Sequence, residues 1–271
     1  MASSVAVVGA TGRMGALAVR LIEASADLTL HAALGSADPI DGVDGADLVL
    51  DFTVPAVSPD IVAGALDRGI PVLVGTSGWD ADRIRSLETR VAALPDLGVV
   101  VVPNFALGSV LATRFAAMAA PYFDSIEIIE AHHAGKVDSP SGTAVRTAEL
   151  IGRARAETGP LAAPHADQRA RGQQVASIPI HSLRRPGVMA RQETILAGAG
   201  ESLTIVHDTI EPALAYGPGI RLALMAARDA RGVVVGLDSF LDIGIRTPGE
   251  SAARPVDEGE AAGQVARATG A

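Results

Sequence analysis

The amino-acid sequence predicts an α/β protein with a doubly wound parallel sheet, accompanied by a second, α+β domain. Over residues 1–105, short β-branched runs alternate with longer stretches rich in Ala, Leu and Arg. Continuous apolar strands separated by helices are typical of a parallel sheet that is covered on both faces. A glycine-rich turn follows the first strand, and the strand-like segments after Asn104 alternate apolar with polar residues. That alternation is typical of a sheet with one solvent-facing side.

The first part of the chain is predicted to alternate strands with helices. The strands are expected at 4–10, 28–34, 46–53, 71–78 and 98–105, and the helices at 14–26, 58–69 and 80–94. Ser58 and Pro59 are expected at the cap and in the first turn of the second helix, because Pro is favoured at a helix start.

The elements after Asn104 predict the second domain. Helices are expected at 108–123 and 141–157, a strand at 125–133, a polar loop at about 158–174, and strands of an antiparallel sheet at 175–185, 188–198 and 201–210. A helix at 219–230 and the apolar segment 232–243 could return to the first domain.

These elements predict three regions with distinct roles. Residues 1–105 and 214–247 are expected to form a dinucleotide-binding domain, and residues 106–213 a substrate-binding and oligomerisation domain. The last segment, 248–271, is rich in Gly, Ala, Glu and Pro without an apolar period, so we expect a disordered tail.

Composition excludes several classes of function. The formal net charge of -9 argues against nucleic acid as the main partner, because phosphate binding needs clustered Lys and Arg. The absence of cysteine excludes disulfides, thiolate metal sites and cysteine nucleophiles, and no metal site is predicted. The sequence has neither a signal-peptide pattern nor an apolar run near the roughly 20 residues that span a bilayer, so we expect a cytoplasmic protein without a membrane partner.

The turn after the first strand predicts a dinucleotide site. In VAVVGATGRMG, three glycines (Gly9, Gly12 and Gly15) separate the first strand from the first helix. Glycines there permit a tight turn and close backbone approach, while the helix N-terminus offers free N–H groups to a pyrophosphate. A glycine turn can be merely structural, but its place in a strand–helix–strand unit favours a Rossmann-like cofactor site.

The end of the second strand bears on which cofactor binds. Folds that bind NAD usually carry an acid there for the ribose hydroxyls, yet this chain has Gly35 and Ser36. Asp38 is expected in the following loop, slightly too far along. Loss of the carboxylate would remove repulsion against a 2′-phosphate, which Arg13 could meet. We therefore expect NADPH to be accepted as well as NADH.

Three further strands end in polar or small residues, at 51–53, 75–77 and 102–105. The ligand crevice of an open parallel sheet lies at the carboxyl ends of its strands. One such ending is usually a turn, but three together indicate a nicotinamide pocket.

The segment EAHHAGKVDSPSGTA, residues 130–144, predicts the reaction site. Along the alternating strand, Glu130 and His132 lie on one face and His133 on the other. The following Ala-Gly must break the strand for both rings to converge with Lys136. A single histidine is more often structural, but this cluster favours catalysis or substrate binding.

A helix start follows this cluster. Ser141 can be a simple N-cap, or it can form an anion site with Gly142 and Thr143, suited to a carboxylate. The basic cluster just upstream favours the second reading, a pocket for a small anionic substrate.

These motifs resemble a known family. GATGRMG, DFT, GTSG, PNFALG and above all EAHHAGKVDSPSGTA are similar to 4-hydroxy-tetrahydrodipicolinate reductases, also called dihydrodipicolinate reductases, over about residues 4–245. The resemblance implies a Rossmann-like cofactor domain, an α+β substrate and tetramerisation domain, and a homotetramer. The implied activity is NAD(P)H-dependent reduction of a small dicarboxylate, 4-hydroxy-tetrahydrodipicolinate, to tetrahydrodipicolinate in diaminopimelate and lysine biosynthesis.

The resemblance also implies residue roles. His132 would be the proton donor and acceptor and Lys136 a second proton donor, while His133, Ser141, Gly142 and Thr143 would bind substrate. The implied cofactor-binding residues are Gly9, Ala10, Thr11, Gly12, Arg13, Met14, Phe52, Gly75, Thr76, Ser77, Val102, Pro103, Asn104 and Phe105. The tail beyond about residue 247 exceeds the length expected of the family.

Two other functions are compatible with a nucleotide-binding fold. Another imine or aldehyde reductase would be expected to alter the Ser-Gly-Thr segment, which is intact here. A redox-sensing regulator would be expected to lose His132 or Lys136. Lys136 is the only lysine beside 21 arginines among the 22 Lys and Arg residues. Since a lysine ammonium gives up a proton far more readily than a guanidinium, we expect this position to need a proton donor or a matched charge.

Overall fold

The computed structural model describes residues 2–159, 161, 165 and 167–241. The predicted disordered tail at 248–271, and part of the predicted loop at 158–174, lie outside the described residues. Residues up to Phe240 form one compact unit that contains two sheets. The boundaries of the two predicted domains stay a prediction.

The described chain contains a six-stranded and a five-stranded sheet. The strands of the first sheet are β1 Ser3–Val8, β2 Leu28–Leu34, β3 Leu48–Asp51, β4 Val72–Val74, β5 Gly98–Val101 and β11 Gly232–Val235. The strands of the second sheet are β6 Ser125–His132, β7 Gln173–Val175, β8 Ile178–Arg184, β9 Ala190–Ala197 and β10 Ser202–Thr209. The helices are α1 Arg13–Glu23, α2 Ser58–Asp67, α3 Ala81–Val91, α4 Leu107–Ala119, α5 Gly142–Ala154 and α6 Pro212–Asp229.

The first sheet is parallel and doubly wound, which confirms the predicted fold class. Its order is β11-β5-β4-β3-β1-β2, with each neighbouring pair in parallel register. Helices α1 and α6 pack on one face through residues such as Ile22 and Leu224, and α2 and α3 pack on the other through Leu66 and Leu87. Because both faces are covered, β3 is buried at every position, as its unbroken apolar run LVL predicts.

The second sheet differs from the prediction, because it is mixed rather than antiparallel. Its order is β10-β9-β6-β8-β7, and β6 pairs with β8 in parallel. Helix α5 lies between these two strands in the chain, so it acts as the crossover that a parallel pair requires. The other pairs in this sheet are antiparallel.

Helices α4 and α5 cover one face of the second sheet and enclose a small apolar core. Ile126, Ile128, Ile180 and Leu196 from the sheet meet Ile151 of α5 in that core. The opposite face carries mostly exposed or half-buried residues, in line with the predicted wet face, although Ala131 and Pro179 on it are buried.

Two helix starts differ from those predicted. Helix α2 is preceded by Val57 at its N-cap position, so Ser58 is the first helical residue rather than the cap, and its hydroxyl donates a hydrogen bond to Asp51. Helix α6 begins at Pro212, earlier than predicted, and Pro218 lies inside it. A Cβ at Gly219 would collide with the carbonyl oxygen of Phe105, so this glycine lets α6 approach the end of the first sheet closely.

Gly15 provides a test of the packing between the glycine turn and α1. A Cβ there would collide with the carbonyl oxygen of Gly9 and lie 2.7 Å from the Cα of Ala10. Because backbone atoms cannot yield as a side chain can, we expect Gly15→Ala to lower the free energy of unfolding by about 1–3 kcal/mol. Denaturant titration should show this loss, while Gly200→Ala, where a Cβ meets nothing within 4 Å, should change it by less than about 0.5 kcal/mol. Equal stability of the two variants would contradict the packing described.

Candidate active site

The carboxyl edge of the first sheet gathers the loops predicted to hold a cofactor. The strand order reverses between β1 and β3, which is where open α/β sheets form their ligand crevice. Gly9 has a φ of +84°, and a Cβ there would collide with the carbonyl oxygen of Phe52. Glycine therefore lets the turn after β1 lie directly against the loop after β3, with the N-terminus of α1 beside it.

A buried carboxylate fixes three of these loops to one another. Asp51 is fully buried, and its Oδ1 accepts hydrogen bonds from the backbone N and hydroxyl of Thr53 at 2.9 and 2.6 Å, and from the Thr76 hydroxyl at 3.1 Å. Ser58 donates to the other oxygen and accepts from Trp79 Nε1 at 2.9 Å. The DFT loop, the start of α2 and the GTS loop are thus held by one side chain.

Two phenyl rings occupy the space beside the GTS loop. The rings of Phe52 and Phe105 meet edge to face with their centroids 5.4 Å apart. A Cβ at Gly75 would collide with the Phe52 ring and lie 2.8 Å from the Phe105 ring, so glycine is needed for both rings to fit. Val102, another predicted cofactor residue, has its side chain buried in the core, which leaves its backbone as the part that can face a ligand.

The end of β2 carries a negative charge after all, which corrects the inference made from the sequence. Asp38 lies in the loop, as predicted, but its carboxylate returns to accept a hydrogen bond from the Gly35 N–H at 2.7 Å. Thr11 of the glycine turn borders the same spot. Arg13, the residue that could meet a 2′-phosphate, lines a large cleft together with Tyr216 of α6.

This cleft, with a volume of about 750 Å³, joins the glycine turn to the end of β6. The predicted site residues that line it are Arg13, Met14, Ser77, Pro103, Asn104, Phe105, His132, His133, Lys136, Ser141 and Thr143. The other predicted residues do not line it: Gly9, Ala10, Thr11, Gly12, Phe52, Gly75, Thr76, Val102 and Gly142. The cleft therefore brings part of the predicted cofactor set together with both predicted proton donors.

Strand β6 ends at His132 and a turn follows, as the Ala-Gly pair predicts. The turn is closed by the Lys136 N–H, which donates to the His133 carbonyl at 3.1 Å. His133 is exposed, whereas the side chain of His132 is only 16% exposed. The break in the strand allows His132, His133 and Lys136 to reach the same cleft although the two histidines begin on opposite faces.

Glu130, which the sequence reasoning did not include in the site, holds His132. Its carboxylate is fully buried and lies 2.6 Å from His132 Nδ1. Arg184 of β8 binds both carboxylate oxygens, at 2.9 and 3.0 Å, and the Ser141 N–H donates to one of them at 3.3 Å. Burial would raise the pKa of Glu130, but hydrogen bonds from Arg184, Ser182 and His132 outweigh it and lower the pKa below its usual value.

The tautomer of His132 follows from this contact. An ionised carboxylate has no proton to donate, so the hydrogen on the 2.6 Å contact belongs to Nδ1 of the imidazole. In the neutral ring, Nε2 then carries the lone pair. Burial lowers the pKa of His132, and the charges of Lys136 and Arg184 lower it further. Together these effects exceed the opposing effect of Glu130, which raises the pKa.

The two predicted proton donors are linked by the same arginine. Lys136 Nζ lies 2.7 Å from Asp138 Oδ1. Burial would raise the pKa of Asp138, but the hydrogen bond and charge of Lys136 outweigh it and lower the pKa below its usual value. Arg184 also donates to the carbonyl oxygen of Asp138 at 2.6 Å. One guanidinium thus contacts both the carboxylate behind His132 and the loop that carries Lys136.

The Ser-Gly-Thr segment combines the two readings that the sequence allowed. Ser141 is the N-cap of α5 and accepts from the Ala144 N–H at 3.3 Å, so its buried hydroxyl already has a structural partner. Gly142 faces open space at the helix N-terminus. Thr143 Oγ1 accepts from Asn104 Nδ2 at 3.3 Å, which connects the PNF segment to the predicted substrate segment.

The sequence reasoning also missed residues that β9, β10 and α6 contribute to the cleft. Gln192 lies opposite Glu130 in the register, and His207 lies opposite Gln192. Gln192, His207 and Tyr216 all line the cleft. The alternation along β9 and β10 places Gln192 and His207 on one face, but only the pairing with β6 reveals that this face is the one that carries Glu130 and His132.

Among the described residues, no helix is both long and apolar enough to span a membrane.

Comparisons with known proteins show which family this chain is similar to. A family model described as "Dihydrodipicolinate reductase, N-terminus" matches residues 3–105, and one described as "Dihydrodipicolinate reductase, C-terminus" matches residues 108–241. The 4-hydroxy-tetrahydrodipicolinate reductase of Clavibacter michiganensis subsp. michiganensis is 56% identical over 278 residues, covering 100% of both chains. That relative therefore shares the full length of this chain.

More distant relatives are similar over most of the chain. The 4-hydroxy-tetrahydrodipicolinate reductase of Streptomyces coelicolor is 43% identical, covering 88% of this chain and 98% of the relative. A dipicolinate-bound dihydrodipicolinate reductase from Paenisporosarcina sp. TG-14 has a TM-score of 0.75 and 28% identity, covering 89% and 100% of the two chains. The scyllo-inositol dehydrogenase of Lactobacillus casei, with a TM-score of 0.57 and 13% identity, shares the fold alone.

The environment of His132 makes its titration a direct test of this geometry. Because burial and two nearby cations favour the neutral ring, we expect His132 to titrate below the ordinary value of ~6.5. NMR titration of the ring resonances, assigned by comparison with His132→Asn, measures this pKa. A value at or above ~6.5 would contradict the burial and the charge arrangement described.

Proposed function

The chain belongs to the dihydrodipicolinate reductase family, and from this premise we propose which of its residues carry the reaction. It is an oxidoreductase that reduces 4-hydroxy-tetrahydrodipicolinate to tetrahydrodipicolinate in diaminopimelate and lysine biosynthesis. The observation that carries the proposal is the shared cleft, in which the edge of the glycine turn meets His132, His133 and Lys136.

The reaction balance defines what the protein must provide. A hydride and a proton enter, and the hydroxyl group leaves as water, so one proton is consumed overall. A bound nicotinamide supplies the hydride. Hydride addition to a conjugated C=N system places negative charge on the ring, which a nearby cationic acid can neutralise.

The glycine turn and the neighbouring loops suit that cofactor. The close approach of Gly9 to Phe52, and the free N-terminus of α1, leave a crevice in which backbone N–H groups can meet a pyrophosphate. We assign the pyrophosphate to the turn from Gly9 to Met14. The nicotinamide end is assigned to the loops at 75–77 and 102–105.

His132 is proposed as the residue that exchanges a proton with the substrate. Since its Nδ1–H is donated to Glu130, Nε2 is the atom available for that exchange. Imidazole titrates near neutral pH, so it can both donate and accept under physiological conditions.

Lys136 is proposed as the second proton donor and as a counter-charge for the dicarboxylate. Its ammonium is mostly buried and contacts the Asp138 carboxylate, which leaves further N–H bonds for a substrate oxygen. His133, together with Gly142 and Thr143 at the N-terminus of α5, is proposed to bind a carboxylate of the substrate. Ser141 supports that site through its cap rather than through a free hydroxyl.

The cofactor preference is proposed from the end of β2. The carboxylate of Asp38, held at Gly35, can accept from ribose hydroxyls and repels a 2′-phosphate. This arrangement favours NADH more than the sequence reasoning did, while the loop position of Asp38 allows NADPH as well. We propose that the enzyme uses both cofactors.

A homotetramer is proposed from the resemblance and from the open face of the second sheet. Leu183 and Val206 on that face are 44% and 45% exposed, and neither faces the cleft. Burial of such residues between copies of the chain would remove apolar surface from water. A cytoplasmic location stays a prediction.

Removal of either proton donor tests the proposed roles. We expect His132→Ala and Lys136→Ala to lower kcat by about 10²–10⁴-fold, because each removes an acid from the transition state. NADPH oxidation with freshly synthesised 4-hydroxy-tetrahydrodipicolinate measures the rate, and fluorescence titration measures NADPH affinity, which should be unchanged. Lys136→Arg should not restore the rate, since a guanidinium holds its proton.

Arg85→Ala, an exposed position on α3, serves as the matched control and should leave both quantities unchanged. Weakened NADPH binding in both cleft variants, or normal turnover in either, would contradict the assignment. A regulator without turnover would show no NADPH oxidation even in the unmodified protein.

Asp38 provides the test for cofactor choice. For the unmodified enzyme we expect Kd values for NADPH and NADH within about tenfold of each other. We expect Asp38→Ala to shift the ratio towards NADPH by about threefold to tenfold, because a repulsive charge beside the 2′-phosphate is removed. Asp96→Ala, an exposed acid just before β5 at the amino end of the parallel strands, should leave the ratio unchanged. An unchanged ratio in Asp38→Ala would rule out this role.

A further inference from the structure

The buried Glu130–Arg184 pair lies directly behind the residue proposed to exchange the proton. The Glu130 carboxylate accepts from His132, Arg184 and the Ser141 N–H, and so connects β6, β8 and the start of α5. Its side chain is 0% exposed and that of Arg184 is 19% exposed. Two charges in such a position are costly to bury unless their hydrogen bonds are satisfied.

Packing alone does not explain a charged pair at this place. An apolar pair of similar size would fill the space without the desolvation cost. The contacts instead lead to the reaction groups: Glu130 contacts the His132 ring, and Arg184 reaches the Asp138 carbonyl in the loop of Lys136.

We propose that Glu130 and Arg184 are positioning residues for the reduction. Glu130 keeps the proton of the neutral His132 ring on Nδ1 and so presents Nε2 to the cleft. Arg184 fixes that carboxylate and, through Asp138, the loop that carries Lys136. The proposal rests on the proposed role of His132.

Three charged groups act on the pKa of His132: Glu130 on the same strand, Arg184 on β8 and Lys136 in the loop. Asp138 pairs with Lys136, and Arg191 and His207 line the same cleft. Of these, Glu130 is the one whose hydrogen bond favours the charged imidazolium. Its removal should therefore lower the pKa of His132.

The test is Glu130→Gln, with three measurements. Loss of the carboxylate charge should lower the pKa of His132 by about 1 unit or more, as measured by NMR titration. If protonated His132 is the acid, activity falls as pH rises through that pKa. The alkaline limb of kcat/KM should therefore move to lower pH by a similar amount, with at least about a tenfold loss of kcat. The Kd for NADPH should stay the same.

Strand β6 offers a matched control on its other face. Glu127 also pairs with an arginine and a histidine, Arg171 at 2.6 Å and His181 at 2.7 Å, but it lies away from the cleft. Glu127→Gln should leave the pKa of His132 and the pH limb where they are. If Glu130→Gln fails to fold because Arg184 is left unpaired, the double variant Glu130→Gln/Arg184→Met removes both charges. It should keep NADPH binding and still show the loss of kcat.

The outcomes separate this inference from the proposed function. An unchanged His132 pKa with unchanged turnover in Glu130→Gln would overturn the positioning role alone. A lowered His132 pKa with unchanged turnover in Glu130→Gln would overturn both the positioning role and the catalytic role of His132. A loss of turnover that comes with weaker NADPH binding and no shift of the pH limb would show a merely structural pair.

Discussion

The hydrogen bond between the buried Glu130 carboxylate and His132 is the constraint on which the reaction site depends. It fixes the proton of the ring on Nδ1, and the bidentate contact with Arg184 keeps the carboxylate ionised in a buried position. The same carboxylate accepts from the Ser141 N–H, so the first turn of α5 is anchored to the strand that carries the histidine. The proposed proton donor and the proposed carboxylate site therefore share one anchor.

A second buried carboxylate has the corresponding role in the first sheet. Asp51 holds the DFT loop, the start of α2 and the GTS loop at the carboxyl edge of parallel strands, where such sheets bind ligands. The two halves meet where Asn104, at the end of the PNF segment, donates to Thr143 at the start of α5. In both sheets, a buried acid uses hydrogen bonds from neighbouring elements to order loops that have little apolar core of their own.

The first sheet was largely predictable, since buried parallel strands leave continuous apolar runs and the glycine turn has a fixed steric purpose. The alternation of β6 placed Glu130 and His132 on one face, but the contact between them was not predicted from it. Arg184 could not be found in this way, because it reaches the site through the parallel pairing of β6 with β8, and alternation alone suggested an antiparallel sheet. Asp38 was judged by its distance along the chain, whereas the loop returns its carboxylate to Gly35.

The protein, rather than solvent, sets the tautomer of His132 through the hydrogen bond to Glu130. A long-range ¹H–¹⁵N spectrum of the protein labelled at histidine, recorded well above the pKa of His132, reports which ring nitrogen carries the proton. The structure predicts a protonated Nδ1 and an unprotonated Nε2, because the ionised carboxylate of Glu130 accepts from Nδ1. A proton on Nε2, or an averaged mixture of the two tautomers, would contradict this account.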